Sequence, residues 1–541
     1  MPLHELSPHG EEESKHVVEY DQRKTGQVLH AVKPPPVALP PEEARITVHA
    51  AVSRISVIYE KLRNAVEYRE EHLLRKGAIV RILRRQLLLE ADPYVIAHNL
   101  IRELIAARYL PNETLPETKV DDGALIVRKY QAIARTNIGD EKHFKWLLGV
   151  VATELEETLD DHRREKAVVT YLYEQLSDRI HVRGIELDDM ERRLQIYVAC
   201  YRMLVKADDE AVSYKFLRAY LQEWNKPEAW LENSEAVAER LVYVHERIQE
   251  RLKHPITTRF QRAVKPWAVS LWMLASALDE EKEGAYMLSS REETHAAVAR
   301  VVEKKEKEAR AKLRRGTIRA MMYLFITKMV IAFILEVPIE YYLYARVDTF
   351  PLAVNVLFPV VLMFFVGILI RRPGSANRLR ILQGVDELLA PQGVPAQEIR
   401  SPRKRRGLSL WFFRFLYLFM FVVSFGVIGS VLEAIGFTLI AIIVFFFFLS
   451  LVSFFGYRLR QTAREIIVVK QKERLSTAIL DFFALPILRA GQWLSISISR
   501  LNVFAFVFDV LFEAPLKLFL GVLEESLSFI REKKEELTDE T

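Results

Sequence analysis

The sequence predicts an all-α integral membrane protein with an N-terminal cytosolic helical domain, four transmembrane helices in two hairpins, and C-terminal amphipathic helices. Three observations predict this fold class. Four stretches in the C-terminal half are apolar for about 20 residues, the length of helix that crosses a hydrocarbon core. The region before them spaces apolar residues three and four apart, as in IVRILRRQLLLE. Basic residues are concentrated in alternate connections between the apolar stretches.

Composition bounds the chemistry of the chain without identifying a partner. The 541 residues include 76 Lys or Arg and 71 Asp or Glu, so the charge balance gives no argument for nucleic-acid binding. Cys200 is the one cysteine, which rules out an intramolecular disulfide and a cluster of thiolate metal ligands. We therefore expect the soluble part to lie in a reducing compartment.

The chain before the apolar stretches divides into a tail and a soluble helical domain. Residues 1–41 contain EEES and PPP and little apolar surface, so we expect a disordered tail without a secretory signal peptide. Residues 42–315 carry helical periodicity interrupted by turn-forming segments, which predicts about eight packed helices. Ser290 stands three residues before Glu293, a capping box that starts the last soluble helix, and Gly316 is the expected break before the membrane.

The four apolar stretches, 321–344, 351–370, 410–432 and 437–455, predict transmembrane hairpins at residues 316–370 and 409–456. The fourth has fifteen Phe, Leu, Ile or Val residues and no charge, so its insertion is favourable by about 4 to 9 kcal/mol. The first gains about 3 to 7 kcal/mol, while Lys328 and Glu336 cost about 3 kcal/mol each at mid-depth. We still expect it to span, because it forms a tight hairpin with the second stretch and its flanks differ in charge.

The distribution of basic residues predicts the orientation. Residues 303–319 contain eight Lys or Arg and three Glu, and residues 371–407 contain nine basic and three acidic residues. Residues 457–474 contain six basic and two acidic residues. The two other connections hold one Arg and none. Because basic connections stay in the cytoplasm, we expect a multi-pass protein of the plasma (inner) membrane. Both termini and the basic loop at 371–408 are then cytoplasmic.

Residues 457–541 form a basic segment followed by a stretch that is apolar yet repeatedly charged. Five polar side chains share one helical face of this stretch: Asn502, Asp509, Glu513, Lys517 and Glu524. As a span, this helix would cost about 8 to 10 kcal/mol for its charges against about 4 to 8 kcal/mol gained. An interfacial or re-entrant hairpin over 476–530 is favoured, and two further spans are the alternative.

Ionisable residues within the spans are candidate functional residues. Lys328, Glu336 and Glu340 lie on one stripe of the first span, a pattern that can line an ion or proton path. The favoured alternative is structural, with Lys328 snorkelling or pairing with a neighbouring helix and Glu340 in the headgroup region. Arg414 is predicted to be a snorkelling anchor of the third span, and Glu433 ends that span on the outer side.

Basic residues also cluster beside the membrane, at Arg371, Arg372, Arg403, Lys404, Arg405 and Arg406. Each either attracts anionic lipid headgroups, by about 1 kcal/mol, or only sets the topology, which is the favoured interpretation.

Two charged clusters lie in the soluble region. The basic cluster contains Arg75, Lys76, Arg81, Arg84 and Arg85, and the acidic cluster contains Glu154, Glu157 and Asp161. We interpret both as solvated faces of a helical bundle, in preference to a nucleic-acid or ribosome contact and a metal site respectively.

The sequence contains no motif that indicates catalysis. P-loop, dinucleotide-binding, HExxH and GxSxG patterns are absent, so neither a cofactor nor an enzymatic activity is expected. Glu292 and His295 have the spacing of a carboxylate-bridged metal site but lack a second matching pair.

The favoured hypothesis is a membrane-embedded scaffold or adaptor in the lipid bilayer whose residues 42–315 bind a cytosolic protein partner. A homo-oligomer is compatible with this hypothesis, and a nucleic-acid partner is not expected. The alternative is a small transporter, channel or insertase-like protein that uses the polar stripe of the first span, and an enzyme with an unrecognised site ranks third.

Overall fold

Helices make up nearly all of the described chain, as the sequence predicts. The computed structural model describes residues 20–35, 44–64, 71–136, 140–184, 187–221, 224, 233–344, 349–370, 373–400, 407–469, 485–493, 522 and 526.

The soluble region begins with α1 (Gln22–Val32), α2 (Ala50–Asn64), α3 (Glu71–Leu89), α4 (Pro93–Ala106), α5 (Thr118–Arg135), α6 (Glu141–Leu159) and α7 (Arg163–Leu176). It continues with strand β1 (Ile180–Arg183), α8 (Asp189–Leu204), α9 (Asp209–Tyr220), α10 (Ser234–Lys253), α11 (Pro255–Glu280) and α12 (Gly284–Ser289). The later elements are α13 (Arg291–Ile331), a π turn (Ala332–Glu336), α14 (Val337–Tyr344), α15 (Thr349–Leu369), α16 (Ser375–Leu389), β2 (Gln397–Arg400), α17 (Leu408–Ala434) and α18 (Leu439–Arg464).

Side-chain caps fix the start of several of these helices. Asp92, Asp140 and Asp208 each precede a helix and accept a hydrogen bond from a backbone N–H of its first turn. Ser290 Oγ accepts from the Glu293 backbone N–H at 3.5 Å, so α13 starts where the capping box predicts.

Apolar side chains of the soluble region form two buried clusters. The first lies between α2–α6, α9 and α10 and includes Ile79, Leu100 and Leu155. The second lies between α1, α7, α8, α11 and the first turns of α13, and it includes Leu172 and Trp267. Full burial of such side chains stabilises the fold by about 1.5 to 3 kcal/mol each.

Helix α1 corrects the prediction of a disordered tail for residues 20–35, and the rest of residues 1–41 lies outside the described residues. Val28 and Val32 are buried in the second cluster, and the Asp21 backbone N–H donates a 2.9 Å hydrogen bond to the carbonyl of Leu389. Tyr20 also donates its hydroxyl hydrogen to Asp386 at 2.9 Å. These partners lie more than 360 residues further along the chain. The composition of the first 41 residues therefore does not predict these long-range contacts.

The connection between the second and third apolar helices is not a simple basic loop. Helix α16 buries Ile381, Val385 and Leu388 in the second cluster, where it packs against α11. Strand β2 pairs in parallel with β1, with Ile180 opposite Gln397. The helical domain is therefore built from residues on both sides of the first hairpin. Arg371, Arg372 and Arg403–Arg406 lie outside the described residues.

Four helical stretches are long and apolar enough to cross a membrane: Arg291–Leu343, Thr349–Leu369, Trp411–Ala434 and Leu439–Gln461. Each overlaps one of the four predicted spans, and the bounds nearest to the prediction differ from it by one or two residues. The break expected at Gly316 is wrong, because α13 continues without interruption from Arg291 to Ile331. Gly316 instead allows a close helix contact, since a Cβ atom there would lie 2.7 Å from Leu459 Cδ2.

Two more glycines complete a cycle of close contacts among α13, α15 and α18. A Cβ atom at Gly367 on α15 would lie 2.5 Å from Thr317 Cγ2 on α13. A Cβ atom at Gly456 on α18 would lie 2.8 Å from Val366 Cγ1 on α15. With Gly316, each of the three helices offers one glycine to a neighbour. We call Gly316, Gly367 and Gly456 the glycine cycle, and it brings the three helices close together where they leave the soluble region.

A short helical segment at 485–493 packs on α17 and α18. A Cβ atom at Gly491 would lie 2.9 Å from the carbonyl oxygen of Ser450 and 2.7 Å from the backbone nitrogen of Phe454. The Arg489 guanidinium lies 5.0 Å from the centre of the Tyr417 ring. This part of 476–530 therefore contacts the apolar helices directly. The predicted polar face at Asn502, Asp509, Glu513, Lys517 and Glu524 lies outside the described residues.

Candidate functional site in the apolar helices

Lys328 and Glu336 form an ion pair inside the apolar helices. Lys328 Nζ lies 2.8 Å from Glu336 Oε2, and the two side chains are 0% and 1% exposed. The Lys328 ammonium also lies 5.1 Å from the centre of the Phe448 ring on α18, within the range of a cation–π contact. The side chain of Lys328 thus pairs within its own span. Removing one partner of a buried ion pair leaves the other charge uncompensated in an apolar surrounding. Each of the two residues therefore stabilises the charged form of the other.

The π turn at Ala332–Glu336 brings the two residues together. In a regular α-helix, residues eight positions apart point about 80° away from each other, at about 100° per residue. A π turn adds the equivalent of one residue, which reduces this angle to about 20°. Pro338 follows the turn, and it has no N–H to donate to the carbonyl of Ile334. The proline therefore gives a local reason for the widened turn.

Asn355 on α15 is the third member of the site, and the sequence reasoning did not single it out. Its side chain is fully buried. The Nδ2 group donates to Glu336 Oε1 and, at 3.4 Å, to the carbonyl oxygen of Ala441 on α18. Asn355 Oδ1 is buried, and it has no hydrogen-bond partner among the residues that the structure describes. A lone amide in the run PLAVNVLFP was the signal that could have identified it, because polar side chains are rare in spans.

Glu340 lies one turn beyond Glu336 and is buried. Its Oε1 atom accepts a 2.7 Å hydrogen bond from the hydroxyl of Thr438, the residue that caps the start of α18. Tyr341 and Tyr342 beside it are exposed. Arg414 and Glu433 on α17 are exposed and do not join the group. Of the five ionisable residues predicted within the spans, the structure brings three together: Lys328, Glu336 and Glu340.

No known protein family, curated protein or solved structure matches this chain.

The basic cluster of the soluble region is not a solvated face. Arg75 Nη2 lies 2.7 Å from Glu156 Oε1, and Arg81 Nη2 lies 2.7 Å from Glu60 Oε1. Three cations of the cluster are mostly buried, and a fourth, Arg85, is about a quarter exposed. Each of these four pairs with an acidic residue of another helix: Arg75, Lys76, Arg81 and Arg85. Only Arg84 is exposed. These charges therefore join α3 to its neighbours.

The two glutamates of the acidic cluster, which lie on α6, form ion pairs inside the fold. Glu154 pairs with Lys129, whose ammonium lies 4.1 Å from the Trp224 ring, and Glu157 pairs with Lys215. Burial lowers the pKa of both Lys129 and Lys215, against the opposing charges of Glu154 and Glu157. Only Asp161 matches the predicted solvated face.

Glu156, Asp160 and His162 lie close enough together to suggest a metal site. Arg75 already supplies the positive charge, at 2.7 Å from Glu156 and 2.6 Å from Asp160. Burial alone would lower the pKa of His162, but the hydrogen bonds and charges of Glu156 and Glu165 outweigh burial and raise it to about 10. The group is therefore an ion-pair network that joins α3, α6 and α7.

Asp386 on α16 binds side chains from the start of the chain and from α13. It accepts hydrogen bonds from Tyr20, from Arg291 Nη2 at 2.7 Å and from His295 Nε2 at 2.7 Å. Burial opposes ionisation of Asp386, yet the bonds to His295 and Arg291 prevail and lower its pKa. His295 therefore binds Asp386, and its spacing from Glu292 does not mark a metal site.

Proposed function

We propose that this protein is a membrane-embedded scaffold or adaptor that presents its helical domain to a cytosolic protein partner in a fixed orientation. The supporting observation is the position of α16, which connects the second and third spans. Ile381 and Leu388 of α16 are fully buried, and Ser270 on α11 donates its hydroxyl hydrogen to the Ile381 carbonyl at 2.9 Å. A domain that is only tethered to the membrane does not need the connection between two spans as part of its hydrophobic core.

Two further attachments support a fixed orientation. Helix α13 runs without a break from the second core cluster into the first span. The chain leaving α18 also joins the domain: Ile466 is buried in the second cluster, and Lys206 Nζ lies 3.1 Å from Glu465 Oε2. Three separate segments therefore link the spans to one core. A single flexible linker would allow the domain to reorient, and three such links oppose it.

The cytoplasmic orientation is part of the proposal. Because the three attachments share one core, they lie on the same side of the spans. Immediately before the first span, α13 carries the exposed side chains of Lys312, Arg314, Arg315 and Arg319. Such basic flanks favour the cytoplasmic side of a plasma (inner) membrane.

The proposal is best tested on the full chain. Residues 42–315 alone would lack α1 and α16, and their loss would expose Trp267 and Leu172 of the second cluster. The full-length protein would be crosslinked through its lysines in native membranes and then purified. We expect one partner protein in near-stoichiometric amount, with crosslinks at exposed domain lysines such as Lys142 and Lys145.

The matched control is the double variant Lys328→Met with Glu336→Gln, which changes the spans and leaves the domain surface intact. The scaffold function predicts that partner recovery is unchanged in this variant. The proposal is overturned if no protein crosslinks to the domain. A solute or ion flux in proteoliposomes that the double variant abolishes, while insertion persists, would replace the scaffold with a transport function.

A further inference from the structure

Asn355 Oδ1 is a buried acceptor near the start of α15, and no described residue donates a hydrogen bond to it. Its residue is fully buried, and the other end of the amide is fixed, because Nδ2 donates to Glu336 and to the Ala441 carbonyl. Exchanging the amide oxygen and nitrogen would place two oxygens against each other at Glu336. Water is absent from a hydrocarbon interior, so an unsatisfied acceptor there is costly. Within the described part of the chain, no positive or proton-donating group reaches this oxygen.

The charges of the same region are also unbalanced. Lys328 neutralises Glu336 by direct contact, and Glu340 follows one turn later with a hydroxyl from Thr438 as its hydrogen-bond donor. Among the described residues of α13–α15 and α18 that form this group, two carboxylates face one ammonium. Glu433 lies on the neighbouring α17 with its side chain exposed, so it does not alter this balance. An uncompensated buried charge is unfavourable, which is a second reason to expect a cation.

We propose that the oxygen atoms of Glu336, Glu340, Asn355 and Thr438 form a binding site for one small monovalent cation, either sodium or a proton carried on water. The four residues come from three helices that pack together, α13 with its extension α14, α15 and α18. Carboxylate, amide and hydroxyl oxygens are the donor set that suits a hard cation and that also accepts hydrogen bonds from hydronium. The bound cation would supply both the missing charge and the missing partner of Asn355.

The position of the site suggests access from the side opposite to the helical domain. Glu340 and Thr438 lie near the turn at Gly436, where α18 starts, and Tyr341 and Tyr342 are exposed beside them. Tyrosines of this kind mark the membrane–water interface. The glycine cycle closes the opposite end of the same three helices.

The test measures ion-dependent stability of the full-length protein in nanodiscs, by its thermal midpoint from tryptophan fluorescence. Sodium chloride replaces choline chloride at constant ionic strength in one series, and pH varies at fixed sodium in the other. We expect a saturable rise of the midpoint by several degrees in at least one series. A response to sodium alone identifies sodium, and a response to pH alone identifies the proton.

Two variants assign the response to this site. Glu340→Gln removes the excess charge and keeps an oxygen for the Thr438 hydroxyl, and Asn355→Leu removes the unpaired oxygen. Both variants are expected to lose the ion response. The soluble domain contributes the same pH dependence to each variant and to the wild type, so the difference between them reports on this site. Thr327→Val is the matched control, because the Thr327 hydroxyl bonds the Tyr323 carbonyl of its own helix. It should respond like the wild type.

The proposal is overturned if the wild-type midpoint is the same in sodium and choline and its pH dependence equals that of Glu340→Gln. It is also overturned if Glu340→Gln keeps the full ion response. Should Asn355→Leu fail to fold, the wild-type series and Glu340→Gln still decide the outcome. A failed cation test leaves the crosslinking result for the scaffold unaffected, since that experiment addresses the soluble surface.

Discussion

Asn377 binds the backbone on both sides of Ile467, ninety residues further along the chain. Its Nδ2 group donates a 3.0 Å hydrogen bond to the Ile466 carbonyl, and its Oδ1 atom accepts a 2.7 Å hydrogen bond from the Val468 N–H. Asn377 follows the second span, and Ile466 follows the fourth. One buried amide therefore joins the segment that follows α18 to the segment that connects α15 and α17. It also supplies hydrogen-bond partners to backbone groups of residues 466 and 468, which lie outside any helix.

Replacing Asn377 with Leu should loosen this junction. The change leaves the buried Ile466 carbonyl without its partner, which costs about 1 to 3 kcal/mol, and it leaves the partly buried Val468 N–H without its acceptor. We expect faster hydrogen exchange at residues 465–469 and a lower thermal midpoint. Ser375→Ala, an exposed change two residues earlier, is the control. Unchanged exchange at Val468 in Asn377→Leu would contradict the prediction.

The glycine cycle predicts that added methyl groups separate the helices. Gly367→Ala places a Cβ atom 2.5 Å from Thr317 Cγ2, so α13 and α15 must move apart and lose packing. We expect a lower thermal midpoint in detergent. Gly426→Ala on α17 is the matched control, since no atom of the described chain lies within 4 Å of the added Cβ. The alanine there should be neutral or stabilising by up to about 1 kcal/mol, from helix propensity. Equal effects at both positions would exclude the close-packing explanation.

The buried ion pair predicts non-additive substitutions. Lys328→Met alone leaves the Glu336 carboxylate unpaired in an apolar surrounding, and removal of one partner of a buried pair costs about 3 to 5 kcal/mol. Adding Glu336→Gln removes the orphaned charge, so the double variant should be more stable than the single one. Unfolding free energies of the two single variants and the double variant measure this coupling. Simple additivity would show that the two side chains do not interact.

The His162 network predicts a loss of stability at alkaline pH. The pKa of His162 is raised from 6.5 to about 10 in the folded protein, so its contribution is fully present below about pH 6.5. That contribution is lost as pH rises toward about 10, when the folded-state imidazolium deprotonates. His162→Gln should flatten this part of the stability profile, measured by chemical denaturation. His181→Gln, at an exposed position of β1, should retain the wild-type profile. An unchanged slope in His162→Gln would argue against the network.

Part of this architecture follows from the sequence by itself. Length and apolar content identify the four stretches that are long and apolar enough to cross a membrane, because transfer into hydrocarbon depends on local composition. The 3.6-residue period identifies the helices before them, and the Ser290–Glu293 pair locates the start of α13. Lys328, Glu336 and Glu340 stand out as candidates because charge is rare inside a bilayer.

Only the tertiary structure decides which distant segments meet. The polar sequence around α1 suggests disorder, yet Val28 and Val32 find their apolar partners on helices far along the chain. The π turn rotates Glu336 under Lys328, and Asn355 reaches Glu336 from a second helix. Such contacts depend on packing between residues far apart in the chain, and local composition and periodicity carry no record of those partners.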